Sequence, residues 1–377
     1  MKLKKILSML LVASMTFSFA ACGNRDTASE STESAEAETS EETAEAEAAG
    51  ETIECEPLEV TFATTYNQND IGGILVQYFL DTASELTNGA ISSEVWWSGT
   101  VLSSADTLEG LGNGTCDMTC FAQTPHTGTL NYLGFPSFAP GSDTVLEMFN
   151  KVIFEDEETS ALVQQELADN GIYFLDHGTL PGGANAFCAT FEFSDLDSLI
   201  SGCSSFGNMD AAIFEKLGFQ VTSVGPDGGY DALDRGLITA TQLGLHPMVM
   251  KQWYAVAGYW ALDGTYTAGS FISANLDWWN SLSAEQQEAL QLACDKTVAY
   301  ATEVYDAGTD EDIALVEEET GNEFVEFSDE DIARIWAANF DAKAETAMTN
   351  AEANGKGEGM EKILKICAEV TGYDWQP

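Results

Sequence analysis

The chain has 377 residues, with 14 Lys and Arg against 62 Asp and Glu and a formal net charge of −48 at pH 7. A chain this acidic repels phosphate backbones and anionic surfaces, which excludes nucleic acid as a partner. From Pro57 onward about 320 residues remain, enough for two domains with a sizeable core.

The first element is a leader. Lys2, Lys4 and Lys5 form a basic head, an apolar run follows from Ile6 to Ala21, and small residues stand directly before Cys22. This is the layout of a signal peptide over residues 1–21, with an apolar part too short to span a membrane. "FAAC" also resembles a bacterial lipobox, in which Cys22 is lipidated and becomes the mature N-terminus. Phe19 stands where Leu or Val is usual, and plain cleavage is the alternative. A lipid on Cys22 would hold the protein on the outer, extracytoplasmic face of the cell membrane without spanning it. Residues 22–56 are Ser, Thr, Ala and Glu with almost no apolar side chain. They cannot bury enough surface to offset chain entropy, so they read as an acidic, disordered tether. No later run reaches the roughly 18 apolar residues of a membrane span.

The globular part opens with alternation. "LEVTFAT" (58–64) reads as a strand, "DIGGILVQYFLDTASELTNG" as a helix stopped at Asn88-Gly89, and "AISSEVWW" as a second strand. A short helix over "SSADTLEGLGNG" and a third strand "CDMTCFA" follow. "SDTVLEMFNKVIFEDEETSALVQQELADNG" reads as helices and "IYFLD" as a strand. "HGTLPGG" is a turn signal, after which strands and helices alternate again through "ANAFCAT", "GCSSF", "MDAAIFEKLG", "FQVTSV", "GGYDALDRG" and "LITATQL". "GTYTAGSFISA" returns as strand, and long helices fill the C-terminal part. The pattern predicts an α/β fold with two lobes, a cleft between them and a helical end.

Chemistry-bearing motifs are few. There is no HExxH, GxSxG, P-loop or Rossmann fingerprint, so no cofactor is expected. Cys116, Cys120 and His126 could start a metal site, but a fourth ligand is not evident. Cys203 and His177 are the elements of a thiol–imidazole pair with nothing to bring them together. Of eight cysteines, lipidation of Cys22 would leave seven, an odd number mostly in apolar stretches, as befits buried free thiols. A single bridge stays open.

Six blocks in order carry a resemblance: "FATTY", "ELTNGAISSEVWWSGTV", "GLGNGTCDM", "EKLGFQVTSV", "YDALDRGLI" and "WWNSLSAEQQEAL". They resemble the DctP-type solute-binding proteins of tripartite ATP-independent periplasmic (TRAP) transporters, from about Leu58 to Tyr305. The resemblance implies a periplasmic-binding-protein-like fold, two α/β lobes joined by crossing strands and a long helix. It also implies a small organic solute enclosed between them, membrane permease subunits as partners, and no catalysis. Residues 57–180 with 264–305 would form one lobe, 181–263 the other, and 306–377 would be helices packed on both.

The family strand matching "GCSSF" usually ends in an arginine that grips the substrate carboxylate, and Phe206 stands at that place. The family's second basic position falls near Ala184–Asn185, and the glutamate before its Tyr-x-Ala-Leu falls on Gly228. Arg235 and Arg334 are the only arginines after the tether, and neither matches the gripping position. The cleft is therefore expected to be aromatic and uncharged, built from Tyr66, Asn67, Trp97, Thr100, Gln123, Asn185, Phe206, Asp227, Gln242 and Trp253. Trp253, Tyr254, Tyr259 and Trp260 resemble the family's interlobe helix. Such a cleft suits a neutral or cationic ligand. Other readings fit the same residues: a binding protein of an ATP-driven importer, a sensor ectodomain, or a surface hydrolase.

Overall fold

The computed structural model describes residues 52–135 and 138–376. The leader, Cys22 and nearly all of the acidic tether lie outside the described residues. The end of the expected tether is packed rather than free. Ile53 is buried, its N–H donates to the Leu86 carbonyl at 2.8 Å, and the Glu56 carbonyl accepts from Gln286. One apolar side chain suffices to pin it.

The chain then runs through β1 (Leu58–Ala63), α1 (Ile71–Leu86), β2 (Ile91–Trp96), α2 (Thr107–Gly112) and β3 (Met118–Phe121). β4 (Phe138–Pro140) and α3 (Ser142–Asn150) follow, then a π turn over Lys151–Glu155 and α4 (Glu157–Asp169). The next elements are β5 (Ile172–Ala189), α5 (Leu196–Gly202), β6 (Phe206–Gly207), α6 (Ala211–Leu217), β7 (Val221–Thr222), α7 (Gly229–Asp234), β8 (Ala240–Gly244) and α8 (Leu245–Met250). β9 (Tyr259–Asn275), α9 (Leu276–Ser281), α10 (Ala284–Thr320), α11 (Asp329–Ala353) and α12 (Gly357–Thr371) complete it.

One nine-stranded sheet runs in the order β2-β1-β3-β9-β5-β8-β6-β7, with β4 also on β9. Its centre is an antiparallel pair of long strands, β5 of 18 residues and β9 of 17. One half of this pair carries the parallel strands β1 and β2 through β3, and the other half carries β8, β6 and β7. The two lobes are thus two halves of one sheet, each with its own buried clusters on both faces.

The turn signal "HGTLPGG" misleads, because β5 continues through it. The strand absorbs the mismatch in register shifts between Phe174 and Ala186, with His177 at φ 54°. At Gly182 a Cβ would meet the Thr267 carbonyl oxygen at 2.4 Å, and at Gly269 the Pro181 carbonyl oxygen at 2.5 Å. The glycines are there for close approach of two backbones where the strands cross between lobes.

Two helices tie the lobes together. α10 is a single helix of 37 residues, running through Tyr305 without a break. Its first turns pack in the core under β1 and α1, and Val316 packs with β8 and α8 on the far side. This is the long helix of the molecule. Trp253–Ala255 is only a short 3-10 turn, and Tyr259 and Trp260 begin β9, so the resemblance of that segment to an interlobe helix does not hold. α11 places Trp336 and Phe340 in one lobe's core and Ile335 and Ala342 in the other's. α12 is held by Lys356, whose ammonium bonds the buried Glu166 carboxylate, itself accepting from the Asn131 and Tyr132 amides at 2.9 Å. Seven cysteines, Cys55 and six further along, are free thiols.

Candidate functional site

A cleft of about 630 Å³ opens where β5 and β9 cross between the lobes. Its floor is Gly182–Asn185 of β5 and Asp263, Thr265, Thr267 and Gly269 of β9. Each wall comes from chain leaving a strand end. Tyr66, Asp70 and Ile71 follow β1, and Asn208, Asp210 and Phe214 follow β6. Gln242 lies in β8, and His246, Met250 and Lys251 follow it, while Tyr305 and Asn339 close the side from α10 and α11. Sites at the carboxyl ends of strands are expected of open α/β sheets, where the strand-to-helix connections open a crevice.

The β1–α1 turn shows how the sequence builds a wall. Asn67 donates to the Asp70 carboxylate at 2.5 Å and accepts from the Asn69 amide at 2.8 Å, closing a tight turn. Gly72 and Gly73 let that turn lie against the helix, because a Cβ would meet the Tyr66 ring at 2.6 Å and the Asn67 carbonyl at 1.9 Å. Tyr66 is thereby laid on the cleft side, its hydroxyl 2.6 Å from the Ser270 hydroxyl. Burial pushes its phenol up to about 12, so it stays a neutral donor.

The floor carries a polar network. Asp263 is 1% exposed. Gln242 donates to its Oδ2 at 2.6 Å, and the Thr265 amide and hydroxyl both donate to Oδ1 at 2.7 Å. Asn185 donates to the Thr265 hydroxyl at 3.0 Å. Burial raises the Asp263 carboxyl to about 6, against the pull of the hydrogen bonds from Gln242 and Thr265. The cleft's basic groups are engaged elsewhere. Lys251 pairs with Asp227 at 2.7 Å, and His246 with Asp312 at 2.8 Å. The Asp312 hydrogen bond raises the imidazole of His246. Arg235 pairs with Asp231, and Arg334 with Asp197 and Asp331.

Of the residues expected from the sequence, Tyr66, Asn185 and Gln242 line the cleft. Asn67 shapes it without lining it. Trp97 packs half-buried in a lobe core, Trp96 packs on the opposite face, and Thr100 is exposed; none of the three reaches the cleft. Gln123 is buried and does not line it. Asp227 is fully exposed and acts on the rim only through Lys251. Trp253 is a core residue on a neighbouring cavity of about 170 Å³, its ring edge against Gly229.

Phe206 requires the largest correction. It is 0% exposed, with ring centroids 4.3 Å from Phe219, 4.6 Å from Phe214 and 5.9 Å from Phe187. It fills an aromatic core and walls no cleft; alternation along a two-residue strand points it under the sheet. Cys116 and Cys120 also part company, packing in different clusters, while His177 lies tilted against Phe154 and Cys203 sits beside Thr239.

Sequence reading missed Asp263, Thr265 and Thr267. The signal was available: they alternate at i, i+2 and i+4 in "LDGTYTAG", the period of one strand face. It was overlooked because Asp263 seemed to precede the strand.

Residues 62–348 match the family model "Bacterial extracellular solute-binding protein, family 7" (DctP), in agreement with the resemblance of the sequence blocks. No curated protein sequence matches the chain significantly. Among solved structures, a TRAP periplasmic solute-binding protein of Rhodobacter sphaeroides, apo and open, is 13% identical with a TM-score of 0.72, covering 83% of this chain and 99% of that one. The ectoine-binding protein TeaA of the TeaABC TRAP transporter, in its apo state, is 17% identical with a TM-score of 0.69 over 83% and 100%. A TRAP periplasmic solute-binding protein of a Sulfitobacter species, with bound β-D-galacturonate, is 17% identical with a TM-score of 0.62 over 83% and 100%. These likenesses establish the fold.

Proposed function

The chain belongs to bacterial extracellular solute-binding protein family 7, and we propose that its cleft captures a neutral or cationic small organic solute for a TRAP-type permease. Capture proceeds by closure of residues 57–180 and 264–305 against 181–263 over the solute, which binds the closed state more tightly and shifts the population toward it. Lipidated Cys22 and the acidic tether hold the protein on the outer face of the cell membrane, within reach of the permease subunits. Tyr66, Asn185 and Gln242 contact the solute, and the protein performs no chemistry on it.

One observation carries the reading of ligand charge: a buried carboxylate, Asp263, lies on the cleft floor, while the cleft's lysine and histidine are paired with acids and no arginine lines it. A carboxylate solute would meet repulsion where a guanidinium clamp would otherwise supply two charge-assisted bonds.

A thermal-shift screen of the purified protein against carboxylates, sugars, polyols, amino acids and amines tests this. A solute at 100 times its Kd adds about 2.7 kcal/mol and raises Tm by a few degrees. The expected hits are neutral or cationic. Tight binding of a C4-dicarboxylate would refute the charge assignment and leave the capture role intact.

A further inference from the structure

We propose that the solute carries a protonated amine or quaternary ammonium group, and that Asp263 is the residue that selects for it. This deepens the capture reading and rests on it.

The geometry points to a charge left without its counterpart. Asp263 sits on β9 at the bottom of the cleft, and its three hydrogen-bond donors, from Gln242 and Thr265, are all neutral. Neutral donors orient a carboxylate, but they leave its net charge in place. Among the described residues no lysine, arginine or histidine forms an ion pair with it; the two basic groups of the cleft are committed to Asp227 and Asp312. Burying an ion without a partner is unfavourable, and a purely structural acceptor at this place could be an amide or hydroxyl at lower cost. The raised carboxyl is the same imbalance seen in the free protein. A ligand ammonium would supply the missing charge beside a buried carboxylate, where charge-assisted bonds are strong.

The rest of the cleft agrees. Asp70 adds negative charge to one wall, while Asp210 on the other is paired with Lys343 at 3.4 Å; with Asp263 on the floor, the field in the opening attracts cations. Tyr66, Tyr305 and Phe214 supply aromatic carbon on the walls, suited to the methyl or methylene groups beside an ammonium and to cation–π contact. A polyol would satisfy hydrogen bonds while leaving the buried charge uncompensated, and a carboxylate would double it.

Calorimetric titration of the full protein with charged and neutral isosteres tests the proposal: choline against 3,3-dimethyl-1-butanol, and putrescine against 1,4-butanediol. At least one cation should bind tenfold or more tightly than its neutral twin, and D263N should reduce that ratio about tenfold. Failure of both amines to bind, equal affinity of charged and neutral twins, or an unchanged ratio in D263N would each overturn it. Should D263N fail to fold, the isostere ratio in the unaltered protein decides alone. A sugar or carboxylate that binds while the amines do not removes this proposal and leaves solute capture standing. Absence of binding by every class removes both.

Discussion

At the scale of single residues, Asp263 and Phe206 exchange the roles the sequence suggested. Phe206 stood out because a family comparison put it at an arginine's place, yet its ring is enclosed by three other phenylalanines. An arginine there would be a buried charge without a partner. Asp263 passed unnoticed because a lone acid in a chain with 62 of them carries no signal until burial singles it out. Its burial makes a prediction with a definite sign. An unfolded aspartate releases its proton near pH 3.9, whereas Asp263 in the fold holds it to about 6. Between those values the unfolded chain binds fewer protons than the folded one, so this group's contribution to stability falls as pH rises and is fully lost above about 6. The loss is on the order of 3 kcal/mol. Melting curves from pH 4 to 7 should therefore show a decline for the unliganded protein that D263N lacks. The other ionisable groups are common to both proteins, so the difference between the two curves isolates Asp263. Parallel curves would show that Asp263 is not the buried, unpaired group described above.

At the scale of elements, local patterns were legible and long-range ones were not. β1, α1, β2 and β3 lie within a residue or two of the strands and helices expected from period and caps, since each is decided by its own side chains. β5 and β9 were cut short, because Pro181-Gly182-Gly183 and Gly264 are breakers by local rule. Pairing along a whole partner strand overrode that rule, with bulges taking up the strain. Tyr66, Asn185 and Gln242 could be placed in the cleft because they end strands or begin turns. Trp97, Thr100 and Gln123 satisfy the same criterion, and only tertiary packing separates the two groups. The crossing of β5 and β9 predicts an asymmetry between adjacent glycines. A Cβ at Gly182 would meet Thr267 Oγ1 at 2.1 Å and its carbonyl at 2.4 Å, whereas at Gly183 the nearest atom is a Tyr305 ring carbon at 3.7 Å. Gly182→Ala should cost about 2 kcal/mol or more by urea unfolding, in the range of other overpacked sites. Gly183→Ala should be nearly neutral. Equal effects would mean that the strands do not approach at Gly182 as closely as described.

At the scale of the molecule, two opposing consequences follow from one charge distribution. The chain carries −48, and the cleft is lined by Asp70 as well as by the buried Asp263. Self-repulsion of like charges opposes the compact state, and salt relieves it as the screening length shortens from about 14 Å at 0.05 M to about 4 Å at 0.5 M. Added NaCl should thus raise Tm of the unliganded protein, by about 2–4 °C for each kcal/mol of repulsion removed. The same screening weakens the field that draws a cation into the opening, so association of an ammonium solute should slow over the same range. Stability rising while capture slows is a pairing that a neutral ligand would not produce, since its association has no charge to screen. Stopped-flow association rates and melting temperatures measured across one salt series separate the cases. A salt-independent association rate would place the solute among the neutral ones, and a falling Tm would mean that the surface acids are stabilised by pairing more than they repel.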